Sequence, residues 1–278
     1  MPELPEIETI KRELKPQIVN QEIIGCKIFR KDIVGYPNAK LLCSSIIGER
    51  ILDVGRRAKY LILYLSSEKR LIFHLRLSGA IIFKRKFYKN KDLGRKFIRL
   101  VILLNKGIII FEEPRALGRV YLLKGDERPV SLSGFFNLGY EPICPEYNFS
   151  YFKEKIGKRR AMIKALLLDQ SICAGVGNIY SDEALFRAGI KPTRRAYTLT
   201  TEELFKLLCS LKEVLREGID NFGTTVSDYK RTNGKSGNFQ NFLYVYAREN
   251  QPCRICGTKI ILKKIGNRGT RYCPLCQQ

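Results

Sequence analysis

The sequence has no tryptophan and a single histidine, His74. That scarcity argues against a histidine-rich metal site and against a mechanism that needs two histidines. Acidic residues are few beside basic ones, 27 against 50, which leaves a formal net charge of +23. Such an excess favours a polyanionic partner, nucleic acid first and an anionic membrane surface second. Long apolar runs are missing as well: "YLILYL" and "KGIIIF" have the length of strands, not of membrane spans. The start of the chain has neither the basic segment nor the apolar core of a secretory signal. Five cysteines (Cys26, Cys43, Cys144, Cys173 and Cys209) are scattered among apolar neighbours. Scattered cysteines without such a signal point to a reducing, cytoplasmic setting, where they pack as small apolar side chains.

What is present is enough to fold. The 278 residues are 45% hydrophobic, sufficient for one large or two modest cores. Ile7, Ile10 and Leu14 in "IETIKRELK" have helical spacing, so one amphipathic helix opens the chain. Eight short runs rich in branched and aromatic residues follow, from "EIIGCKIFR" to "RVYLLK", and read as a β-sandwich or barrel. The turn-rich "SLSGFFNLGYEPICPEYNFS" reads as a hinge. Beyond it, "RRAMIKALLLD", "IYSDEALFRAG" and "TLTTEELFKLLCSLKEVLREGI" have helical periods, and Thr200 with Glu203 makes a capping box. The expected class is α+β. Its parts are a sandwich over 1–130, a hinge over 131–148, a helical part over 149–250 and a cysteine-rich tail over 251–278.

The strongest local signal is that tail. Cys253, Cys256, Cys273 and Cys276 form a C-x2-C-x16-C-x2-C pattern. Four thiolates at this spacing suit one tetrahedral structural zinc on a β-hairpin; the competing reading is a pair of redox dithiols. Six basic and no acidic residues in 251–278 suggest that the finger meets phosphate. In "AGVGNIYSDEALFRAGIKP", Gly175 and Gly177 permit tight turns, and Asn178 stands at a helix start, where backbone N–H groups favour phosphate. An ordinary helical hairpin with an asparagine cap explains the same residues. The insertion "KRKFYKNKDLGRKFIR" at 84–99, with eight basic residues and one aspartate, is either a DNA contact or a solvated loop.

The opening "MPELPEIETI" raises a chemical question. Pro5 and Glu6 are what a helix start favours, but a helix start does not explain Pro2. Once Met1 is removed, Pro2 presents a secondary amine. A free α-amino group titrates near ~7.7–8.0, so a useful fraction is nucleophilic at neutral pH. Attack on a sugar's anomeric carbon gives a cationic iminium, and Glu3 and Glu6 stand close enough in sequence to move protons and stabilise it.

These pieces in this order resemble the bacterial formamidopyrimidine-DNA glycosylases from end to end, through "MPELPEIE", "GRRAKYLI", "FHLRLSG", "EPRALGRV", "AGVGNIYSDEALFRAGIKP", "GTTVSDY", "NFLYVYAREN" and the cysteine tail. The leucine of "PELPE" is closer to this enzyme than to its pyrimidine-directed relative, endonuclease VIII. The resemblance implies a sandwich with a leading helix, then a helix–two-turn–helix domain and a zinc finger. It implies a monomeric, bifunctional repair enzyme with no organic cofactor. Such an enzyme excises oxidised purines from double-stranded DNA and nicks the abasic strand by β- and δ-elimination. Pro2 would be the nucleophile, Glu3 the proton shuttle, Glu6 a support and Lys59 a phosphate-binding lysine of the site.

By the same resemblance His74, Asn178, Tyr246 and Arg268 would contact the DNA backbone, and a loop from about Ser227 to Gln240 would close over the everted base. The family fills the void in the bent duplex with a methionine three residues after the histidine and with an Arg-x-Phe. Here those positions are Leu77, Arg115 and Leu117. Leucines wedge between bases, but Leu117 has no aromatic face to stack. Two other readings share the sequence: the same chemistry with pyrimidine preference, and a damage-binding protein without catalysis. Retention of Pro2, Glu3, Glu6 and Lys59 argues against the latter.

Overall fold

The computed structural model describes residues 2–85 and 96–278. Most of the basic insertion, 86–95, lies outside the described residues. The chain forms two compact units, one of Met1–Phe136 with Phe222–Asn238, the other of Asn137–Asn221 with Phe239–Gln278.

In unit 1, helix α1 (Leu4–Ile18) leads into β1 (Ile23–Ile28), β2 (Val34–Tyr36), α2 (Ala39–Ile46), β3 (Ile51–Arg57), β4 (Tyr60–Leu65) and β5 (Lys69–His74). Then come β6 (Ala80–Lys84), β7 (Ile98–Leu104), β8 (Gly107–Glu112), β9 (Arg119–Lys124) and the short α3 (Ser133–Phe136). Two sheets result, ordered β1-β7-β8-β6 and β2-β9-β5-β4-β3, with every pairing antiparallel except β2 with β9. One apolar cluster draws on both sheets: Phe73 and Leu63 from one, Phe111 and Ile102 from the other. Ile7, Ile10, Leu14 and Ile18 of α1 join it, so the helical spacing seen in the sequence is the buried face of that helix. A second cluster covers the outer face of the five-stranded sheet, where Tyr121 and Ile72 meet Leu132, Phe135 and Phe136.

Unit 2 contains α4 (Phe149–Ile156), α5 (Ile163–Leu168), α6 (Asn178–Ala188), α7 (Thr201–Asp220) and the hairpin β10 (Ile261–Ile265) with β11 (Arg268–Tyr272). The capping box at Thr200 is present: Glu203 N donates to Thr200 Oγ1 at 3.2 Å, and Thr200 N to Glu203 Oε2 at 2.8 Å. Lys164 and Asp182 form an ion pair in which both side chains are fully buried.

Several features differ from the sequence reading. Helix α5 is shorter than "RRAMIKALLLD", and α2, α4 and β2 are elements the sequence reading did not place. Residues 222–238 fold with the sandwich unit and not with the helices, because their anchors lie on α1. Two of the scattered cysteines are not merely small packing residues: Cys26 on β1 and Cys43 on α2 are joined as a disulfide. The reason is proximity, since α2 packs on β1 and holds the two Cα atoms 5.2 Å apart. Cys144, Cys173 and Cys209 are free.

Candidate active site and metal centre

The start of α1 is a buried polar constellation. Pro2 is buried, and Glu3 and Glu6 are 1% and 0% exposed. Glu6 Oε2 accepts from Glu3 N at 2.7 Å, the reach-back that closes a helix N-terminus. Glu6 Oε1 accepts from Thr224 N, also at 2.7 Å. One carboxylate thus holds both the turn that carries Glu3 and a segment more than two hundred residues away. Gly223 precedes that contact at φ +77°, and a Cβ there would come within 2.9 Å of the Glu6 carboxylate. Only glycine satisfies both constraints.

Glu13 repeats the arrangement further along α1. Its Oε2 accepts from Thr232 N at 3.0 Å and Thr232 Oγ1 at 2.8 Å, and Arg231 Nε donates to Oε1. Phe83 N on β6 donates to Thr232 O at 3.0 Å. Tyr229 is buried with its hydroxyl donating to Glu6 O and Phe222 O. The expected lesion loop is therefore tied to α1 through Glu13 and Tyr229, and the segment just before it through Glu6. Sequence reasoning missed Glu13 and Tyr229, because nothing in a solvent-facing helical glutamate announces a partner 218 positions away.

Lys59 is 8% exposed in the turn between β3 and β4. Arg56 ties that turn to α1, with Nε on Glu8 Oε2 at 2.9 Å and Nη1 on Ala58 O at 3.1 Å. Burial alone would raise the Glu8 carboxyl, but hydrogen bonds from Lys11 and Arg56 outweigh it and bring it down to about 2. His74 pairs with Tyr60 across β5 and β4, the two rings meeting edge to face at 4.5 Å. Burial, then the cations of Arg76 and Lys59, hold its imidazole down to about 3. It is neutral at physiological pH. Its Nδ1 accepts from Arg76 N at 3.2 Å, which places the ring proton on Nε2 as a single donor.

The three void-filling candidates sit on two turns. Leu77 is half-buried in the turn between β5 and β6, while Arg115 and Leu117 lie in the turn between β8 and β9, with Leu117 43% exposed. Arg115 Nη2 lies 3.5 Å from Asp228 Oδ2.

In unit 2, Asn178 is the first residue of α6 and Gly177 its cap, so the asparagine is not the capping group. Its Nδ2 instead donates to Gly269 O on β11 at 2.7 Å, beside the exposed Arg268. Glu183, fully buried on the same helix, accepts from the backbone N–H groups of Tyr244, Val245 and Tyr246 at 2.8–2.9 Å. Arg271 stacks over the Tyr246 ring at 4.7 Å.

The four tail cysteines converge. Their Sγ atoms all lie within 4.8 Å of one another, with Cys253–Cys276 at 3.8 Å and Cys256–Cys273 at 3.4 Å. Zn–S bonds of about 2.3 Å in a tetrahedron put sulfurs about 3.8 Å apart, so the set fits zinc. Backbone N–H groups of Ile255 and Cys276 point at Cys253 and Cys273 Sγ, as they do around metal-bound thiolates. The tail holds one structural zinc, which supplies cross-linking of the two knuckles and no reaction step.

Comparison with known proteins decides the family. Residues 1–120 match the formamidopyrimidine-DNA glycosylase N-terminal domain, residues 138–230 the H2TH domain of that enzyme, and residues 250–278 a zinc finger found in FPG and IleRS. The chain belongs to the formamidopyrimidine-DNA glycosylase family. It is 40% identical to the formamidopyrimidine-DNA glycosylase of Pelotomaculum thermopropionicum over 100% of this chain and 99% of the relative. Its fold is similar to that of a Lactococcus lactis FPG point mutant in complex with a Fapy-dG containing DNA. There the TM-score is 0.90 at 33% identity, and both chains are covered in full. The FPG protein of Thermus thermophilus gives a TM-score of 0.87 at 36% identity, with 99% of this chain and 98% of that one covered. As a family member the chain is a DNA-repair glycosylase with a zinc finger.

Proposed function

We propose that the chain excises oxidised purines from double-stranded DNA and then cleaves the abasic strand, using the amine of Pro2 freed by removal of Met1. The amine attacks C1′ of the damaged nucleotide, the base departs with a proton, and an iminium links Pro2 to the opened sugar. Abstraction of a C2′ proton expels the 3′ phosphate, and a second elimination expels the 5′ phosphate, leaving a one-nucleotide gap. Glu3 carries protons in this scheme. Glu6 is a holder, because both of its oxygens are engaged by backbone N–H groups. The observation that carries the reading is this buried pair of carboxylates at the first turn of α1, next to a proline at position 2.

The DNA reading is supported by the net charge of +23 and by the Lactococcus lactis relative, whose structures hold lesion or abasic DNA. His74 as an Nε2 donor, with Lys59, Asn178, Tyr246 and Arg268, is proposed to grip phosphates. Leu77, Arg115 and Leu117 are proposed to fill the void. Excision should be compared on duplexes carrying 8-oxoguanine, formamidopyrimidine or thymine glycol, with borohydride present. Trapping on the purine lesions is expected. Preference for thymine glycol would shift the reading to pyrimidines, and tight binding with no trapping would make the chain a damage binder.

A further inference from the structure

Glu113 follows β8 directly and is completely buried. Its carboxylate accepts four hydrogen bonds from two separate turns. Oε1 takes the hydroxyl of Ser78 and Arg115 N at 3.3 Å, and Oε2 takes Leu117 N and Gly118 N, the latter at 3.3 Å. The last three close the 113–118 turn onto its own first residue. The first crosses to the turn between β5 and β6, where Ser78 is itself 3% exposed and immediately follows Leu77. Gly118 is required for this closure, since a Cβ there would lie 2.9 Å from Glu113 Cγ and 2.6 Å from the Phe111 ring.

Arginines brace the same turn from outside. Arg99 donates to Glu113 O at 2.7 Å and Pro114 O at 3.2 Å, and Arg119 donates to the carbonyls of Ala116, Leu117 and Gly118 at 2.9–3.2 Å. Ala116 and Arg76, one in each turn, both stand at φ +54°, a left-handed conformation that costs energy for residues with a Cβ. Two turns in unfavourable backbone geometry are thus fixed to one carboxylate.

We propose that Glu113 is a positioning residue that joins the Leu77 turn and the Arg115–Leu117 turn into a single preformed wedge. The proposal rests on the reading above that these turns enter the duplex when a base leaves the stack. The wedge matters here because neither leucine is aromatic. A leucine fills a gap only where it is held, whereas a ring finds a stacking surface by itself.

The test uses two reactions of the whole protein with Met1 removed. One is single-turnover excision of 8-oxoguanine from a duplex, which needs the wedge. The other is borohydride trapping on a single-stranded oligonucleotide bearing an abasic site, which has no opposite strand and no void to fill. Glu113→Gln keeps the shape but turns an NH2 toward backbone donors. It is expected to slow duplex excision by about 10- to 100-fold, the scale of a misplaced functional group, with single-strand trapping nearly unchanged. Ser78→Ala breaks only the link between the turns and is expected to give a smaller loss, again confined to the duplex. Equal losses in both reactions, or unchanged duplex excision in both variants, would overturn the proposal. Failure of the unmutated protein to trap on the abasic strand would overturn the lyase reading itself, a result these variants do not affect.

Discussion

In unit 1 the apolar cluster spans two sheets and two helices, and carboxylates only orient what that core already supports. Glu6, Glu13 and Glu113 each fasten a separate segment or turn by its backbone N–H groups. Unit 2 uses the same device on α6, where Glu183 holds 244–246 and Asp182 accepts from Arg271 N. Its finger, however, rests on a small cluster of Phe186, Val245, Cys253, Ile260 and Cys273, two of which are metal ligands. So small a core cannot offset the entropy of ordering the hairpin. Unit 1 is therefore held by packing and the finger by its ion.

Removing zinc breaks this comparison most severely. Chelation, or Cys273→Ser, should release the metal, and structural zinc sites contribute about 10–16 kcal/mol in isolated fingers. DNA affinity should fall steeply, while amide exchange in β3–β5 stays protected. Loss of sandwich protection would show that unit 1 also depends on the ion. The next effect belongs to the buried ion pair. Asp182→Asn leaves the Lys164 ammonium without its counter-charge and should cost about 3–5 kcal/mol in denaturant unfolding. Replacing both partners with apolar residues should recover much of that loss.

Glu8 gives a matching test in unit 1. Its folded carboxyl is depressed from 4.5 to about 2, so its stabilisation is complete above pH 4.5 and is lost as the pH falls toward 2. A shift of that size is worth roughly 3 kcal/mol. Glu8→Gln should remove it and flatten acid unfolding in that window; an unchanged acid limb would place the Arg56 tether elsewhere. The smallest change is Thr200→Ala, which deletes the α7 cap and should cost about 1 kcal/mol in thermal unfolding.

Much of this arrangement can be read in the sequence, for reasons that differ by element. The strands from "KYLILYLS" to "RVYLLK" are legible because burial on one or both faces writes itself as apolar runs. The metal site is legible because four ligands on two knuckles need fixed spacing. Helix α2 is not, since only Leu42 and Ile46 of its eight residues are buried. Its disulfide is therefore hidden too. The helix start at Pro5 and Glu6 is legible from its residue types, but the holders are not. Glu13, Glu113 and Tyr229 act across 35 to 223 positions or through turns, and no local period encodes such partners. Asn178 shows the same limit: its position at a helix start is readable, its bond to Gly269 is not.

The nucleophile we propose is the second encoded residue, Pro2. Borohydride-reduced protein–DNA adduct, made with protein whose mature N-terminus is verified, should be digested and mapped by mass spectrometry. The expected result is the sugar remnant on the amine of Pro2, and none when Met1 is retained. An adduct on Lys59 or another lysine, or undiminished trapping with Met1 in place, would contradict it.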